Sequence, residues 1–224
     1  MGANAVGERV TDRVESLRGA TGIFGGTFDP IHIAHLAVAE AARDTFGLRR
    51  VLFIPAAQPP HKPGRPITPV EHRLAMVEAA VAANPAFEVS RIEVDRAGPS
   101  YTVDTLAALC EADPGDRLAL ILSAESYSEL STWREPRRIL GLADLIVAPR
   151  DGYAEADPDL VPSQFPDAPA AIAFLHGPYI RLSASEIRAR AAEGRSVRYL
   201  VPDAVAAYIG DHGLYQDNRR DHRT

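Results

Sequence analysis

The sequence predicts an α/β fold with a doubly wound, mostly parallel sheet, and two observations lead to this prediction. Short apolar segments bounded by Gly, Pro or charged residues recur from residue 20 onwards, and helix-length segments with apolar residues three and four apart lie between them. This alternation favours a parallel sheet with helices on both faces. Because ligands bind beyond the carboxyl ends of the strands in such sheets, the first strand-to-helix turn is the first candidate site.

Each short apolar segment is predicted to be a buried strand. The strands are predicted over residues 21–26, 51–55, 87–94, 118–122, 144–149 and 171–175. Apolar residues at helical spacing predict helices over residues 35–46, 70–83, 101–110, 135–142, 183–192 and 203–212. Two segments interrupt the alternation and are predicted to be loops. Residues 56–69 contain five prolines, and residues 150–169 are rich in Pro and Asp.

Length and composition predict one large domain of an ordinary globular protein. The chain has 224 residues, of which 46% are hydrophobic and 24% are charged, and this is enough to bury a sizeable core. We divide the chain into an unassigned N-terminal extension (1–20), a single domain (21–215) and a polar tail (216–224).

Charge and targeting patterns argue against nucleic-acid and membrane partners. The formal net charge is −6, so no basic field would attract long nucleic acid or an anionic membrane. The longest uncharged apolar stretch, residues 168–180, is shorter than the ~20 residues that cross a bilayer. The first residues lack a signal-peptide pattern, and the only cysteine, Cys110, is interpreted as a buried small side chain in a reducing compartment. We therefore expect a cytoplasmic protein and leave open a homo-oligomer.

The segment GGTFDPIHIAHL, residues 25–36, follows the first predicted strand and is suited to bind a phosphate. Gly25 and Gly26 let the backbone approach a ligand closely, and the helix start that follows offers unpaired N–H groups to an anion. His32 and His35 are three residues apart, so a helix places both imidazoles on one face. The alternative is two surface histidines after a generic turn. Zinc is disfavoured, because helical His pairs that bind it prefer a spacing of four and a third ligand.

The segment around residues 183–188 has both a structural and a functional interpretation. Ser183 and Glu186 have the spacing of a capping box, which makes a stable helix start without any ligand. The same helix start exposes donors to an anion, and the Ser185 hydroxyl and Arg188 guanidinium add to them. The two interpretations do not compete.

The first-turn segment resembles the T/HxGH signature of the Rossmann-like α/β nucleotidyltransferases, with Ala34 where that signature has Gly. Further segments are similar to one branch of that family, the nicotinate mononucleotide adenylyltransferases. They are FIPAAQPPHK (53–62), GPSYTVDTL (98–106), LSASEIRAR (182–190) and VPDAVAAYI (201–209). The resemblance implies an HxGH nucleotidyltransferase fold with a small C-terminal helical part.

This resemblance implies transfer of AMP from ATP to nicotinate mononucleotide, which yields nicotinate adenine dinucleotide and pyrophosphate for NAD biosynthesis. It assigns catalysis to His32 and His35. It assigns ATP binding to Gly25, Gly26, Thr27, Phe28, Lys62, Ser183, Ser185 and Arg188. It assigns nicotinate-nucleotide binding to Tyr101, Thr102, Trp133 and Arg150. Mg²⁺ would be the cofactor, held by the phosphates and water with no ligand from the protein.

Two of these residues have simpler interpretations. Lys62 is the only lysine of the chain, and its position on a loop is also explained by a composition poor in lysine. Trp133 is the only tryptophan, and a single Trp packs in a core more often than it stacks on a ligand. The resemblance favours a phosphate-facing loop for Lys62 and a nicotinate stack for Trp133.

The sequence departs from the family pattern at two further places. Ser123, Ala124 and Glu125 replace the usual Gly, small residue and Asp, a stretch that contacts the adenosine ribose in the family. Asp151 replaces a proline after Arg150. Alternatives to the implied reaction are adenylyl transfer to nicotinamide mononucleotide or another phosphate, and a nucleotide-sensing module without turnover.

Overall fold

The structure is a computed structural model that describes residues 15, 17–59, 67–150, 152 and 155–216. One sheet contains β1 (Thr21–Gly26), β2 (Arg50–Pro55), β3 (Phe87–Val89), β4 (Leu118–Ser123), β5 (Asp144–Ala148) and β6 (Ile172–Phe174). The helices are α1 (Ile33–Phe46), α2 (Val70–Val81), α3 (Thr102–Ala112), α4 (Ala124–Ser128), α5 (Pro136–Leu142), α6 (Leu160–Gln164), α7 (Ala184–Ala192) and α8 (Asp203–Asp211), and a 3₁₀ helix spans Leu130–Thr132.

The strand order is β3-β2-β1-β4-β5-β6, and every pair of neighbouring strands is parallel. The prediction of a doubly wound parallel sheet is therefore confirmed. The chain moves outward in one direction from β1 to β3 and then in the other from β4 to β6, so the topological switch lies between β1 and β4. In such sheets a crevice opens there beyond the strand carboxyl ends. Gly26 and Ser123 end these two strands and border it.

The core consists of two apolar clusters, one on each face of the sheet. Phe53 belongs to one cluster, while its neighbours Leu52 and Ile54 belong to the other, as the alternation of side chains along a strand requires. Burial on both faces explains why the strands read as continuous apolar runs in the sequence.

The third strand is shorter than predicted, since β3 ends at Val89 rather than at residue 94. The N–H of Ser90 still donates to the carbonyl of Phe53, but the Ser90 hydroxyl then accepts the N–H of Ile92. A turn bond from the N–H of Asp95 to the carbonyl of Arg91 follows at 2.8 Å. These local bonds replace the sheet ladder and end the strand.

Helix α1 begins at Ile33, two residues before the predicted start, and the sequence did not reveal α4, the 3₁₀ helix or α6. Each of these last three elements has five residues or fewer, which is too short for a helical period to emerge. Cys110 is half-buried, and burial raises the pKa of its thiol.

Helix α8 packs against α2, where the hydroxyl of Tyr208 lies 3.0 Å from Nδ1 of His72. No described helix has the length and apolar character that a bilayer crossing needs. Most of the predicted N-terminal extension and polar tail lies outside the described residues, as does Lys62.

Candidate active site

A cavity of about 480 Å³ lies at the carboxyl ends of β1, β4 and β5, against the starts of α1 and α7. Residues far apart in sequence meet there, because the sheet gathers the strand-to-helix loops on one side. The predicted site residues that line it are Gly25, Gly26, Thr27, Phe28, His32, His35, Trp133, Arg150, Ser183, Ser185 and Arg188.

A second cavity of about 260 Å³ adjoins the first. It shares with the first cavity Trp133 and the glycine turn, which is the name we give to Gly25, Gly26 and Thr27. Its other walls include Thr102 and a buried carboxylate, Glu93, which accepts a hydrogen bond from the Thr105 hydroxyl at 2.7 Å. Trp133 therefore borders both cavities. Tyr101 is not among the described residues that line either cavity, and the Arg134 guanidinium lies over its ring at 4.7 Å from the ring centre.

Gly25 and Gly26 differ in the space that a side chain would find at each position. A Cβ atom at Gly26 would lie 3.0 Å from the ring of Phe28, so a larger residue there would displace that ring. A Cβ at Gly25 would meet nothing within 4 Å, and its absence leaves backbone open toward the cavity. Phe28 itself has a φ of 48°, a left-handed conformation unusual for a bulky residue.

His32 and His35 stack on each other at the floor of the larger cavity. Their ring centres lie 3.7 Å apart and their planes differ by 23°. The backbone N–H of His32 donates to Nδ1 of His35 at 3.2 Å, so Nδ1 of His35 is the unprotonated nitrogen. In the neutral ring the proton then resides on Nε2, which makes His35 a hydrogen-bond donor through that atom.

His32 is buried, with 5% of its surface exposed, and no hydrogen-bond partner lies within reach of its Nδ1 among the described residues. Burial, reinforced by the positive charge of Arg150, lowers the pKa of His32 from 6.5 to about 4. His32 is therefore neutral at physiological pH.

The start of α1 offers fewer donors than the sequence predicts. The N–H of Ile33 donates to the carbonyl of Leu200 at 3.0 Å, and the N–H of His35 donates to the carbonyl of His32. Two N–H groups of this helix start are therefore bonded within the protein. Ala34, between them, lines the cavity together with both imidazoles and the preceding turn.

Asp29 lines the larger cavity and bonds to both Tyr215 and Arg188. It is 6% exposed, and its Oδ1 accepts the hydroxyl of Tyr215 at 2.8 Å across 186 positions of sequence. Arg188 donates from Nη1 to the backbone carbonyl of Asp29 and from Nη2 to the Ser185 hydroxyl. Burial, with the nearby Asp29 carboxylate, raises the pKa of Tyr215, so the phenol remains a donor. Arg188 is thereby held at the cavity wall.

The predicted capping box at α7 is present. Oγ of Ser183 accepts the N–H of Glu186, and the Glu186 carboxylate accepts the N–H of Ser183 at 3.1 Å. The Ser183 hydroxyl also lies 3.0 Å from the Glu186 carboxylate and donates to it. Since that proton is engaged, Ser183 supports the helix start directly, and its contact with phosphate stays a prediction.

Arg150 lines the larger cavity and forms an ion pair with the Glu125 carboxylate. Glu125 itself is not among the described residues that line either cavity. Ser123 caps α4 by accepting the N–H of Ser126 at 3.2 Å. The unusual stretch at residues 123–125 thus holds the arginine at the cavity, while Asp151 lies outside the described residues.

Sequence reasoning missed Arg73, Asp29 and Tyr215. Arg73 is 1% exposed, and its guanidinium donates to the backbone carbonyls of the loops that follow β1 and β2. A signal was available, because Arg73 stands three and four residues before the apolar Met76 and Val77 and so belongs to the buried face of its helix. Asp29 and Tyr215 offered no such signal, since their pairing depends on the tertiary fold.

Comparisons with known proteins identify the family and the fold. The sequence model of the cytidylyltransferase-like family matches residues 23–190. A probable nicotinate-nucleotide adenylyltransferase of Thermomicrobium roseum is 49% identical over 87% of this chain and 91% of its own length. One of a Roseiflexus species is 50% identical over 87% of this chain and 97% of its own, and one of Thermus thermophilus is 46% identical over 87% and 98%.

Among solved structures, the fold matches a nicotinic acid mononucleotide adenylyltransferase of Plasmodium falciparum complexed with NaAD. The TM-score is 0.72 at 16% identity, over 88% of this chain and 98% of that one. The sequence relatives carry the family assignment, and the solved structure carries the fold. The chain therefore belongs to the nicotinate-nucleotide adenylyltransferase family.

Proposed function

We propose that this enzyme transfers AMP from ATP to nicotinate mononucleotide, forming nicotinate adenine dinucleotide and pyrophosphate. The observation that carries the proposal is the pair of adjoining cavities that share the glycine turn and Trp133. Two nucleotides bound on either side of that turn would bring their phosphates together beside His32 and His35. We assign the reaction to residues 21–215, as one catalytic domain.

The reaction requires the enzyme to align the two substrates more than to activate the attacking phosphate. An oxygen of the 5′-phosphate of nicotinate mononucleotide forms a bond to the α-phosphorus of ATP, and the bond from that phosphorus to the bridging oxygen of the β-phosphate breaks. The acceptor is already an anion, so no covalent enzyme intermediate is needed. The protein holds the two groups in line and stabilises the charge that develops on the transferred and leaving groups.

His35 is suited to that stabilisation, because its Nε2 carries the proton when Nδ1 accepts the backbone N–H of His32. We assign His32 a second phosphate contact through a ring that burial keeps neutral at physiological pH. Gly25, Gly26 and Thr27 supply the backbone against which the phosphates pack.

We place the triphosphate between the glycine turn and α7. Arg188 and Ser185 are already bonded to each other at 3.1 Å, so they present a preassembled donor pair to an anion. Lys62 would add a charge from the loop that follows β2. Phe28 packs beneath the turn, and the Ser183 hydroxyl contributes chiefly as a helix cap.

The nicotinate ring is assigned to the smaller cavity, against Trp133. Thr102 also lines that cavity and is suited to receive the nicotinate carboxylate through its hydroxyl or N–H. The contribution of Tyr101 is through its backbone, because its ring packs under Arg134. Arg150 would reach the phosphate of this nucleotide from the larger cavity.

Mg²⁺ is the proposed cofactor. Asp29 is the one carboxylate among the described residues that line the larger cavity, and Tyr215 and Arg188 already surround it. The donor set therefore fits an ion that takes its ligands from phosphates and water, as Mg²⁺ commonly does. When bound, the ion would neutralise charge on the polyphosphate. The single cysteine fits a reducing compartment, and we place the enzyme in the cytoplasm.

The test is pyrophosphate release from ATP and Mg²⁺, with nicotinate mononucleotide and nicotinamide mononucleotide in parallel. We expect strong preference for the acid. Preference for the amide would change the substrate assignment. No release with either, despite measurable ATP binding, would point to the nucleotide-sensing alternative or to another acceptor.

A further inference from the structure

Arg73 is among the largest fully buried side chains of the protein and bonds only to backbone carbonyls among the described residues. Its Nη1 donates to the carbonyls of Thr27 and Ala56, both at 2.7 Å. Its Nε donates to the carbonyl of Thr68 at 2.8 Å, and its Nη2 donates to that of Ala57 at 3.3 Å. One guanidinium thus ties the loop after β1 to the loop after β2 and to the start of α2.

The bond to Thr27 determines the orientation of the peptide between Thr27 and Phe28. That peptide is trans, so its carbonyl and its N–H point in opposite directions. Thr27 and Phe28 line the larger cavity, whereas Arg73 does not. Because the Thr27 carbonyl points to Arg73, the N–H of Phe28 points away from Arg73.

The loop after β2 is clamped from two sides. Arg73 holds the carbonyls of Ala56 and Ala57, while the N–H groups of Ala57 and Gln58 donate to the Ser100 hydroxyl at 3.0 and 3.2 Å. The N–H of Ser100 returns a bond to the carbonyl of Gln58. Ala56 and Ser100 line the smaller cavity, so the same guanidinium sets a wall of each cavity.

The charge of Arg73 is buried next to Thr27, which lines both cavities. Burial lowers the pKa of its guanidinium, and Asp29 is the acid whose charge counteracts this most. Asp29 is itself shared with Tyr215 and Arg188. The turn therefore rests on a buried cation that favours an anion on its other side.

We propose that Arg73 is a positioning residue for adenylyl transfer, which holds the Phe28 N–H in the cavity as a donor to a substrate phosphate. The proposal rests on the proposed function for its kinetic part only. A backbone N–H that is aimed at developing charge typically contributes a factor of about 10²–10³ to turnover. Arg73 would act through that group without touching substrate.

The kinetic test compares Arg73→Lys and Arg73→Met with Met76→Ala. Lysine keeps the charge but lacks the planar fork that serves four carbonyls, so we expect kcat to fall by about 100-fold in both Arg73 variants. Met76 is fully buried on the same helix and is not among the described residues that line either cavity, so its variant controls for loss of core packing. All assays are run well below the Tm of each variant. An Arg73→Lys variant with the kcat of Met76→Ala would overturn the proposal.

A second measurement follows the Phe28 amide directly. Protein labelled with ¹⁵N-phenylalanine gives signals from seven residues, and Phe28→Leu assigns the one of interest. In the wild type we expect that signal to shift when inorganic pyrophosphate and Mg²⁺ are added, and in Arg73→Lys we expect the shift to be lost. An unresponsive Phe28 amide in the wild type would overturn the proposal even if no Arg73 variant folds.

The two measurements separate this proposal from the proposed function. If nicotinate mononucleotide is not a substrate but the Phe28 amide responds to pyrophosphate only when Arg73 is present, the positioning role stands and the reaction assignment fails. If turnover occurs and the amide does not respond, the reaction stands and the positioning role fails.

Discussion

The ring of His32 lies face to face with that of His35, 3.7 Å from centre to centre, and the backbone N–H of His32 donates to Nδ1 of its partner. Two cationic imidazoles would repel each other at this distance. Burial and the Arg150 charge lower the pKa of His32 to about 4, so His32 is neutral at neutral pH. The bond to Nδ1 of His35 leaves the proton of that ring on Nε2, so the stack need not contain two like charges.

This arrangement predicts a pH dependence of stability. The pKa of His32 is about 4 in the folded protein and 6.5 in the reference state, so the unfolded chain binds more protons between these values. The contribution of the neutral His32 ring to the free energy of unfolding is fully present above pH 6.5. It is lost as the pH falls toward 4. His32→Asn should therefore reduce the loss between pH 7 and pH 4.5 by about 2–3 kcal/mol.

Urea unfolding at the two pH values measures this difference. His176→Asn is the matched control, since His176 is exposed. Equal acid sensitivity of the His32→Asn and His176→Asn variants would show that His32 does not resist protonation in the folded protein.

Replacing His35 should impair turnover rather than folding. His35→Ala removes the Nε2 donor, and we expect kcat to fall by two decades or more, comparable to the ~2.7–4 kcal/mol lost with one oxyanion donor. Steady-state pyrophosphate release measures kcat, with His176→Ala as the control. A near-normal kcat would remove His35 from the catalytic assignment.

The sequence predicted the site best where its residues lie close together along the chain. The two glycines that end the first strand and the two histidines, His32 and His35, lie within eleven residues of the sequence, so a local pattern was enough to bring them together. The family resemblance assigned Trp133, Arg150 and Arg188 to the site, and all three line the larger cavity. Their approach depends on the sheet order, which a single sequence does not display residue by residue.

Substituting Trp133 should affect one substrate selectively. A stack on the nicotinate ring is made in the ground state and the transition state alike, so Trp133→Ala should raise KM for nicotinate mononucleotide and leave kcat and the KM for ATP near their original values. Trp133→Phe keeps an aromatic face and should recover part of the affinity.

Because Trp133 is the only tryptophan, its intrinsic fluorescence reports binding directly in the wild type. Quenching by nicotinate mononucleotide is expected at concentrations that match its KM. A rise in the KM for ATP instead, with fluorescence that responds to ATP alone, would move Trp133 to the other nucleotide.

Loss of the Tyr215 hydroxyl should destabilise the protein. Tyr215→Phe leaves the buried carboxylate of Asp29 without its 2.8 Å donor, which costs about 2 kcal/mol for a hydrogen bond to a charged group. Tyr179→Phe is the control, since Tyr179 is 58% exposed. The comparison is made by urea unfolding at pH 7, and equal midpoints for the two variants would contradict the expected contribution.

The contact between Tyr215 and Asp29 is one that the sequence did not predict. Strand and longer-helix positions follow from local periodicity. They were predicted within a few residues except where Ser90 and Arg91 divert the third strand into a turn, whereas the three shortest helices were not predicted. The contacts of Asp29 with Tyr215 follow from the packing of the C-terminal helices on the first turn. No local pattern encodes a contact between residues 186 positions apart.

That contact also orders events during synthesis of the chain. β1 and the start of α1 leave the ribosome well before Leu200, which accepts the Ile33 N–H, and Tyr215, which donates to Asp29. Because chains fold from the N-terminus as they emerge, the sheet can assemble before the phosphate cradle is complete. The contacts of Asp29 and Ile33 with the C-terminal part of the chain therefore form after the first turn has left the ribosome.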